Sequence, residues 1–425
     1  MKETVENFTA MMTGSLGLTE PWYVERAVFD SEEMAVRIYV GIRSAAAISC
    51  PVCGSPTKRN GYEKEERVWR HGDCLFYPCY VHCKRPKVLC PNCGSKQISA
   101  SFERKNSRFT LLFEGYAMLI LADAPIAKTA KWLRCDEKSL TKILRYWVNK
   151  SVAGMDMSEV AELAIDETSF KRGHKYVTLI IDAAKRKVID VENGRDKETV
   201  SLFANKLIAK GGAPENITAI TSDMSKTYLP AIEENFPNAE NIIDKFHVKK
   251  VLIDAMDEVR KSEQKTVSDR RGLFLGRRLF MIPESRLSDE QAAKLADMSK
   301  RYPQTGRAYR IIAGLDDFYA SKTVGEAEEA FQSLYSWMRR CRLNPMKDAA
   351  ETLLRHKDKI MAYFRNRLTN AICEGINSMV QAAKRKARGF HTFEGYSAMI
   401  YLVAGKLQLA VPNPFKISCF NENGS

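Results

Sequence analysis

Three acids and four cysteines are the residues of this chain whose types and spacing could do chemistry. Asp166 closes the apolar run Leu163-Ala164-Ile165 in AIDETSF, and Asp223 closes a similar run in ITAITSD. Each is a carboxylate delivered by a segment that reads as a buried strand. Two uncompensated carboxylates within a few Å of each other repel, and one of them resists ionising. A divalent cation removes the conflict. Carboxylate oxygens suit magnesium or manganese, and two such ions about 3.5–4 Å apart can activate a nucleophile and stabilise a leaving oxygen in phosphoryl transfer. A site of this kind wants a third carboxylate. Glu374, in YFRNRLTNAICEGINSMVQAAKRKARGF, offers one in a helical pattern that runs into Lys384, Arg385, Lys386 and Arg388. A surface acid followed by a solvated basic face explains the same residues. Asp182, Asp190 and Asp244 also stand at strand ends, Asp182 with a ready explanation as a turn residue. Glu167 would point to the face opposite Asp166 and is left out.

The cysteines repeat a motif, CPVCG at 50–54 and CPNCG at 90–94. Each offers two thiolates on a tight knuckle, with a glycine after the second Cys to let the backbone turn. Cys50, Cys53, Cys90 and Cys93 together make the tetrahedral shell that structural zinc prefers, and the alternating chain between them suits a β-hairpin. His71, Cys74, Cys79, His82 and Cys83 lie in that hairpin. They read as packing and surface residues, or as a second metal site. Lys84, Arg85 and Lys87 are expected on the ribbon surface.

The acids need elements to position them. VAELAID, KYVTLIID and KVIDVEN read as three strands of a meander. DKETVSLFANKLIAKGG reads as a helix stopped by Gly211 and Gly212, followed by strand ITAITSD, helix KTYLPAIEENF and strand AENIID. This βββαβαβ order is that of the ribonuclease-H-like fold, where the first and fourth strands lie side by side and would bring Asp166 and Asp223 to one edge of the sheet. Upstream, residues 110–150 read as three helices. Pro125 opens the second, and a short turn at Arg134 to Asp136 leads to a third with an apolar stripe of Leu140, Ile143, Leu144 and Trp147. Lys138, Lys142 and Arg145 are left for its other face. Helix, short turn and basic-faced helix is the order of a helix-turn-helix, although many three-helix bundles share it.

The expected organisation is multidomain α/β. It comprises an N-terminal segment with a possible β-hairpin (1–45), a zinc ribbon (46–100) and a helix-turn-helix (105–150). A catalytic domain (158–250) is then interrupted by an all-helical insertion (251–355), completed by helices (356–410) and followed by a tail (411–425). In the insertion, Trp337 shares helical spacing with Leu334 and Met338 and reads as core, with stacking on a flipped base as the sharper alternative. RRGLFLGRRLFM, at 270–281, could track a DNA backbone or be a solvated face.

Composition bounds the partners. The 425 residues carry a net charge of +14 and a sequence pI of about 9.2, which makes phosphate polyanions the leading partner class. No apolar run approaches the roughly 20 residues of a membrane span. The start, MKETVENFTAMM, lacks the pattern of a signal peptide, so a cytoplasmic, nucleoid-associated protein is expected. In that compartment cysteines serve as metal ligands or buried thiols more than as disulfides.

TNAICEGINSMVQAAKRKARGF resembles the C-terminal signature of the ISL3 family of insertion-sequence transposases, whose catalytic glutamate lies in a Glu-Gly-x-Asn motif, here Glu374 to Asn377. The ribbon, the helix-turn-helix, AIDETSFKRGHKYVTLIID and SDMSKTYLPAIEENFPNAENIIDKFHVKK agree in order, over roughly residues 48–405. The resemblance implies a DDE triad of Asp166, Asp223 and Glu374 holding magnesium or manganese, and structural zinc on the four cysteines. DKFH resembles a second mark of related transposases, so that His247, beside Asp244, could contact the scissile phosphate; a helix cap or a core histidine is the plainer reading. Lys138, Lys142, Arg145, Asn377, Lys384, Arg385, Lys386 and Arg388 are expected on double-stranded DNA, first the terminal inverted repeats and then the target. A homodimer or larger assembly would hold two ends. Two other functions fit the same residues: a DNA-binding regulator with an inactive catalytic domain, and a nuclease without strand transfer.

Overall fold

The computed structural model of the chain describes residues 2–44, 47–171, 175–224, 228–368 and 371–412; the tail beyond 412 lies outside the described residues. It divides into two units, Met1–Ala153 with Gln381–Ser425, and Gly154–Val380.

The first unit begins with helix α1 (Lys2–Ser15) and the hairpin β1 (Trp22–Asp30) and β2 (Ala35–Ile42). Short strands follow: β3 (Ile48–Ser49), β4 (Pro56–Tyr62), β5 (Arg67–Cys74), β6 (Tyr77–Cys83), β7 (Pro86–Cys90) and β8 (Gly94–Gln97). They form two four-stranded sheets, in the orders β1-β2-β6-β5 and β3-β4-β7-β8. The hairpin expected between the two cysteine knuckles is β5–β6. Instead of standing with the ribbon, it joins the N-terminal strands, with β6 parallel to β2 and Val81 opposite Ile38. An expected boundary at 45/46 therefore cuts through one sheet. The cause is the inward face of β6, where Cys79, Val81 and Cys83 are almost wholly buried and share a core with Trp22, Ile38, Val40 and Trp69.

Three helices follow, α2 (Leu111–Asp123), α3 (Ile126–Leu133) and α4 (Glu137–Ala153). The α3–α4 turn is made by Arg134 in the left-handed region and by Asp136, whose carboxylate accepts from the Ser139 amide (2.8 Å) and hydroxyl (2.7 Å). Leu140, Ile143, Leu144 and Trp147 are buried, as the spacing predicts. Glu114 ties α2 to α4 and to the loop that precedes α2. Its wholly buried carboxylate accepts from Arg104 Nε (2.8 Å) and Nη2 (2.8 Å), Ser107 Oγ (2.6 Å) and Trp147 Nε1 (2.7 Å).

The second unit holds a five-stranded mixed sheet. Strands β9 (Glu162–Lys171), β10 (Lys175–Asp182) and β11 (Lys187–Asn193) form the antiparallel meander. Helix α5 (Lys197–Ala209) stops before Gly211, which takes φ +84°. Strand β12 (Ala219–Ser222), helix α6 (Tyr228–Asn235) and strand β13 (Glu240–Ile243) complete the run. The strand order is β11-β10-β9-β12-β13, with β12 parallel to both β9 and β13. The first and fourth strands are thus neighbours. One expectation needs correcting. Asp166 does not end β9: it sits opposite Leu179 in mid-strand, and the alternation continues through buried Thr168 and Phe170 to Lys171.

Helices fill the rest: α7 (Lys245–Thr266), α8 (Arg270–Leu275), α9 (Asp289–Arg301), α10 (Pro303–Ala320), α11 (Val324–Arg340), α12 (Asn344–Arg355) and α13 (Lys357–Asn366). They share one core that includes Leu252, Ile311, Leu315, Phe318, Met338 and Met346. Buried Glu263 of α7 fixes the start of α10, accepting from the Gln304 amide (2.9 Å) and the Thr305 amide (2.8 Å). Helix α14 (Ala371–Lys386) begins in this unit, and its last six residues belong to the first unit, where α15 (Phe393–Ala404) packs on α4. Among the described residues no helix is long and apolar enough to cross a membrane.

Candidate metal and DNA sites

Parallel pairing sets Thr221 of β12 beside Ala164 of β9. Two residues beyond that pair stand Asp166, within β9, and Asp223, just past the end of β12, close enough for the Asp223 charge to act on Asp166. The Asp166 carboxylate is gripped at both oxygens. Oδ1 accepts from the Glu167 amide (2.8 Å) and Oδ2 from the Asn377 side-chain amide (2.5 Å). Burial pushes its pKa up to about 6, reinforced by the neighbouring Asp244 and Asp223 charges and opposed by the Glu167 N–H and by His247. Asp244 caps α7 by accepting from the Phe246 amide (3.2 Å), and its other oxygen lies 3.1 Å from His247 Nδ1. Burial works against charging His247, but the bond to Asp244 and the charges of Asp223 and Asp166 outweigh it, so its pKa is raised. The cap belongs to Asp244, which leaves the imidazole turned to the acids.

Beside these groups lies a cavity of about 620 Å³ lined by Glu167, Arg195, Asp223, Met224, His247 and Lys250, among others. Glu167, left out on the sequence, lines this cavity with Asp223 and His247, and Arg195 lies 3.9 Å from its carboxylate. Nothing in the local sequence marks Arg195 or Lys250, which are cations brought in by the start of α5 and the second turn of α7.

Glu374 lies in the first turn of α14 and is exposed, while Cys373, Ile376 and Val380 form the buried stripe. Its carboxylate is not gathered with the aspartates. Among the described residues, the only group of three or more metal-ligating side chains whose atoms all lie within 4.8 Å is that of the four cysteines. Asn377, expected on DNA, instead donates to Asp166. Its own Oδ1 is buried without a hydrogen-bond partner among the described residues. A hard oxygen donor that resists ionisation, with a second carboxylate charge acting on it and an orphaned acceptor beside it, fits a divalent cation.

Cys50, Cys53, Cys90 and Cys93 close into a tetrad, with Cys53 and Cys90 sulfurs 3.5 Å apart. The knuckles form as the sequence predicts. Gly54 N donates to Cys50 O (2.9 Å), and Gly54 and Gly94 take φ +75° and +71°, where a side chain would be strained. Ser55 pulls the Cys53 thiol down to about 6, while the neighbouring thiols push Cys93 up to about 12. Sulfurs so crowded cannot all ionise alone, and a zinc ion resolves that. Cys79 and Cys83 are buried, with thiols raised to about 12, chiefly by burial. His71 pairs with Thr110 and His82 with Glu66. Packing, the plainer reading, accounts for these residues. Arg85 is not on the surface as expected; it is buried against Glu63 and Glu103.

Lys138, Lys142 and Arg145 are exposed along α4. At the end of α14, Arg385, Lys386 and Arg388 are exposed, whereas Lys384 is half-buried, 6.0 Å from the Tyr396 ring centre. Trp337 is not core: it is 42% exposed, although Leu334 and Met338 beside it are buried. In 270–281, Leu273, Leu279 and Phe280 are buried, and Arg277 covers exposed Phe274 at 4.1 Å.

Residues 163–400 match the ISL3 family of DDE proteins, described as transposase, and residues 46–93 match the zinc finger of the transposases of IS204, IS1001, IS1096 and IS1165. The chain is 24% identical over 420 residues to the transposase for insertion sequence element IS1557 of Mycobacterium tuberculosis, covering 91% of this chain and 93% of that protein. It is 24% identical over 387 residues to the transposase for insertion sequence element IS1001 of Bordetella parapertussis, covering 89% and 94%.

Proposed function

Because the chain belongs to the ISL3 family of DDE transposases, we propose that it binds the terminal inverted repeats of an insertion sequence and catalyses metal-dependent strand cleavage and strand transfer there. The observation that supports this is the parallel pairing of β9, which carries Asp166, with β12, which leads into Asp223, together with the mutual charge interaction of Asp166, Asp223 and His247. The strand order supports a ribonuclease-H-like catalytic domain.

In this reading Asp166 and Asp223 hold magnesium or manganese, and Glu374 supplies the third carboxylate from α14. When bound, the cations would activate the attacking oxygen and stabilise the leaving one in both cutting and joining. The chain's own residues do the rest. His247, whose charged form Asp244 favours, faces the phosphate that the acids would otherwise repel. Lys138, Lys142 and Arg145 of a helix-turn-helix, with Arg385, Lys386 and Arg388, contact the DNA backbone, and the zinc ribbon supports end recognition. Holding two ends at once favours a dimer or larger assembly.

The test is cleavage and joining on DNA carrying the element's end, with magnesium or manganese, comparing wild type with Asp223→Asn and Glu374→Gln. Wild type is expected to cut and join, and both variants to bind but do neither. Binding without cleavage by wild type under either metal would favour a DNA-binding regulator. Cutting without joining would favour a nuclease. Normal cutting by the variants would remove the triad.

A further inference from the structure

Asn377 stands three residues after Glu374 and at the edge of the stripe that buries α14, between Cys373 and Val380 in helical phase. Its amide nitrogen reaches Asp166 Oδ2 at 2.5 Å, across 211 residues of chain. A carboxylate held only by the Glu167 amide at Oδ1 could still turn about its Cα–Cβ and Cβ–Cγ bonds. The second bond, to the other oxygen, fixes its plane. The same bond fixes α14 in rotation about its own axis, because a residue at the edge of a buried stripe can meet β9 in only one phase. Glu374, one turn earlier, is carried with it.

We propose that Asn377 is a positioning residue for the metal site: it orients the Asp166 carboxylate and sets the direction from which Glu374 is offered, and it does not act as a DNA contact. The inference rests on the metal-site reading above. Amide chemistry suits the role. A side-chain NH₂ donates to an ionised carboxylate without adding charge, whereas a lysine would compete with the cation and an aspartate would repel Asp166. The orphaned Asn377 Oδ1, less than a side chain's length from Asp166, leaves a further acceptor facing the same polar region.

The experiment uses the full-length chain with end DNA, in wild type, Asn377→Ala, the near-isosteric Asn377→Leu and Asp166→Asn. Manganese binding is measured by electron paramagnetic resonance, together with the manganese concentration that half-saturates cleavage and the dissociation constant for end DNA. Loss of a group that orients a ligand typically weakens metal binding about 10–100-fold. Both Asn377 variants are expected to show a loss of that size, with DNA affinity and melting temperature unchanged. Because Asn377→Leu keeps the packing, it carries the test if the alanine variant is unstable. Unchanged manganese affinity in the two variants, where Asp166→Asn loses it, overturns the positioning role. Weaker DNA binding with manganese affinity intact also overturns it and makes Asn377 a DNA contact. If wild type and Asp166→Asn bind manganese equally, the metal-site reading has failed, and the inference falls with it.

Discussion

Removing the Glu114 carboxylate is the perturbation whose size the structure defines best. Glu114→Ala leaves Arg104, with 14% of its side chain exposed, without its counter-charge, and leaves the buried Trp147 N–H without an acceptor. Breaking a buried pair by removing one partner costs about 3–5 kcal/mol, and an unpaired buried donor about 1–3 kcal/mol. The two overlap, so about 4 kcal/mol is expected. With a urea slope of roughly 2 kcal/mol per molar, the unfolding midpoint should fall by about 2 M. Tryptophan fluorescence reports on the right region, since Trp22, Trp69, Trp132 and Trp147 lie in this unit and only Trp337 lies in the other. The double variant Glu114→Leu with Arg104→Met, which removes both charges, should recover most of the loss. A fall of less than about 0.5 M in Glu114→Ala, or a double variant no better than the single, would refute the view that this pair holds α2 to α4 and the loop before α2.

Other outcomes follow from the same structure. Purified protein should hold one zinc per chain; Cys53→Ser should lose it and Cys74→Ser should keep it, whereas a content near two would revive a second site. Lys138→Ala with Lys142→Ala should weaken binding to end DNA and reduce the steepness of its salt dependence by about two phosphate contacts; an unchanged footprint would remove α4 from the DNA. Glu63 is held down to about 2 despite burial, by hydrogen bonds from Arg85 and Gln97. Its contribution is therefore complete above its ordinary value of 4.5 and declines as pH falls from there towards 2. The stability gap between wild type and Glu63→Gln, read from urea midpoints, should narrow between pH 5 and pH 3; a constant gap would sink the argument.

The parts legible in the sequence are those whose signal is local. Each cysteine knuckle carries its thiols and its glycine within five residues, and the stripe of α4 repeats within one helix. The meander and the βα alternation were readable for the same reason. What escaped depends on partners far along the chain. Where β9 ends is decided by β10, which continues to pair through Lys171, so the acid at 166 is not a terminus. The β5–β6 hairpin was foreseeable, but its sheet was chosen by β2, some forty residues away. Trp337 has a core spacing, but its ring lies partly open to solvent. The role of Asn377 was illegible because its partner stands on another element, outside any window of periodicity.

That long reach also sets a timetable for synthesis. Asp223, the later of the two aspartates, leaves the ribosome 151 residues before Glu374 (374 − 223), and Asp166 leaves 208 residues before it (374 − 166). At ordinary elongation rates of roughly 5–20 residues per second, the nascent chain carries a sheet with two exposed acids for about 8–30 s before α14 can close over it. Through that interval the ribbon and the three helices are already made. If the proposed function holds, the parts assigned to DNA binding are complete before the metal site is, and a chain terminated before α14 would bind end DNA without cutting it.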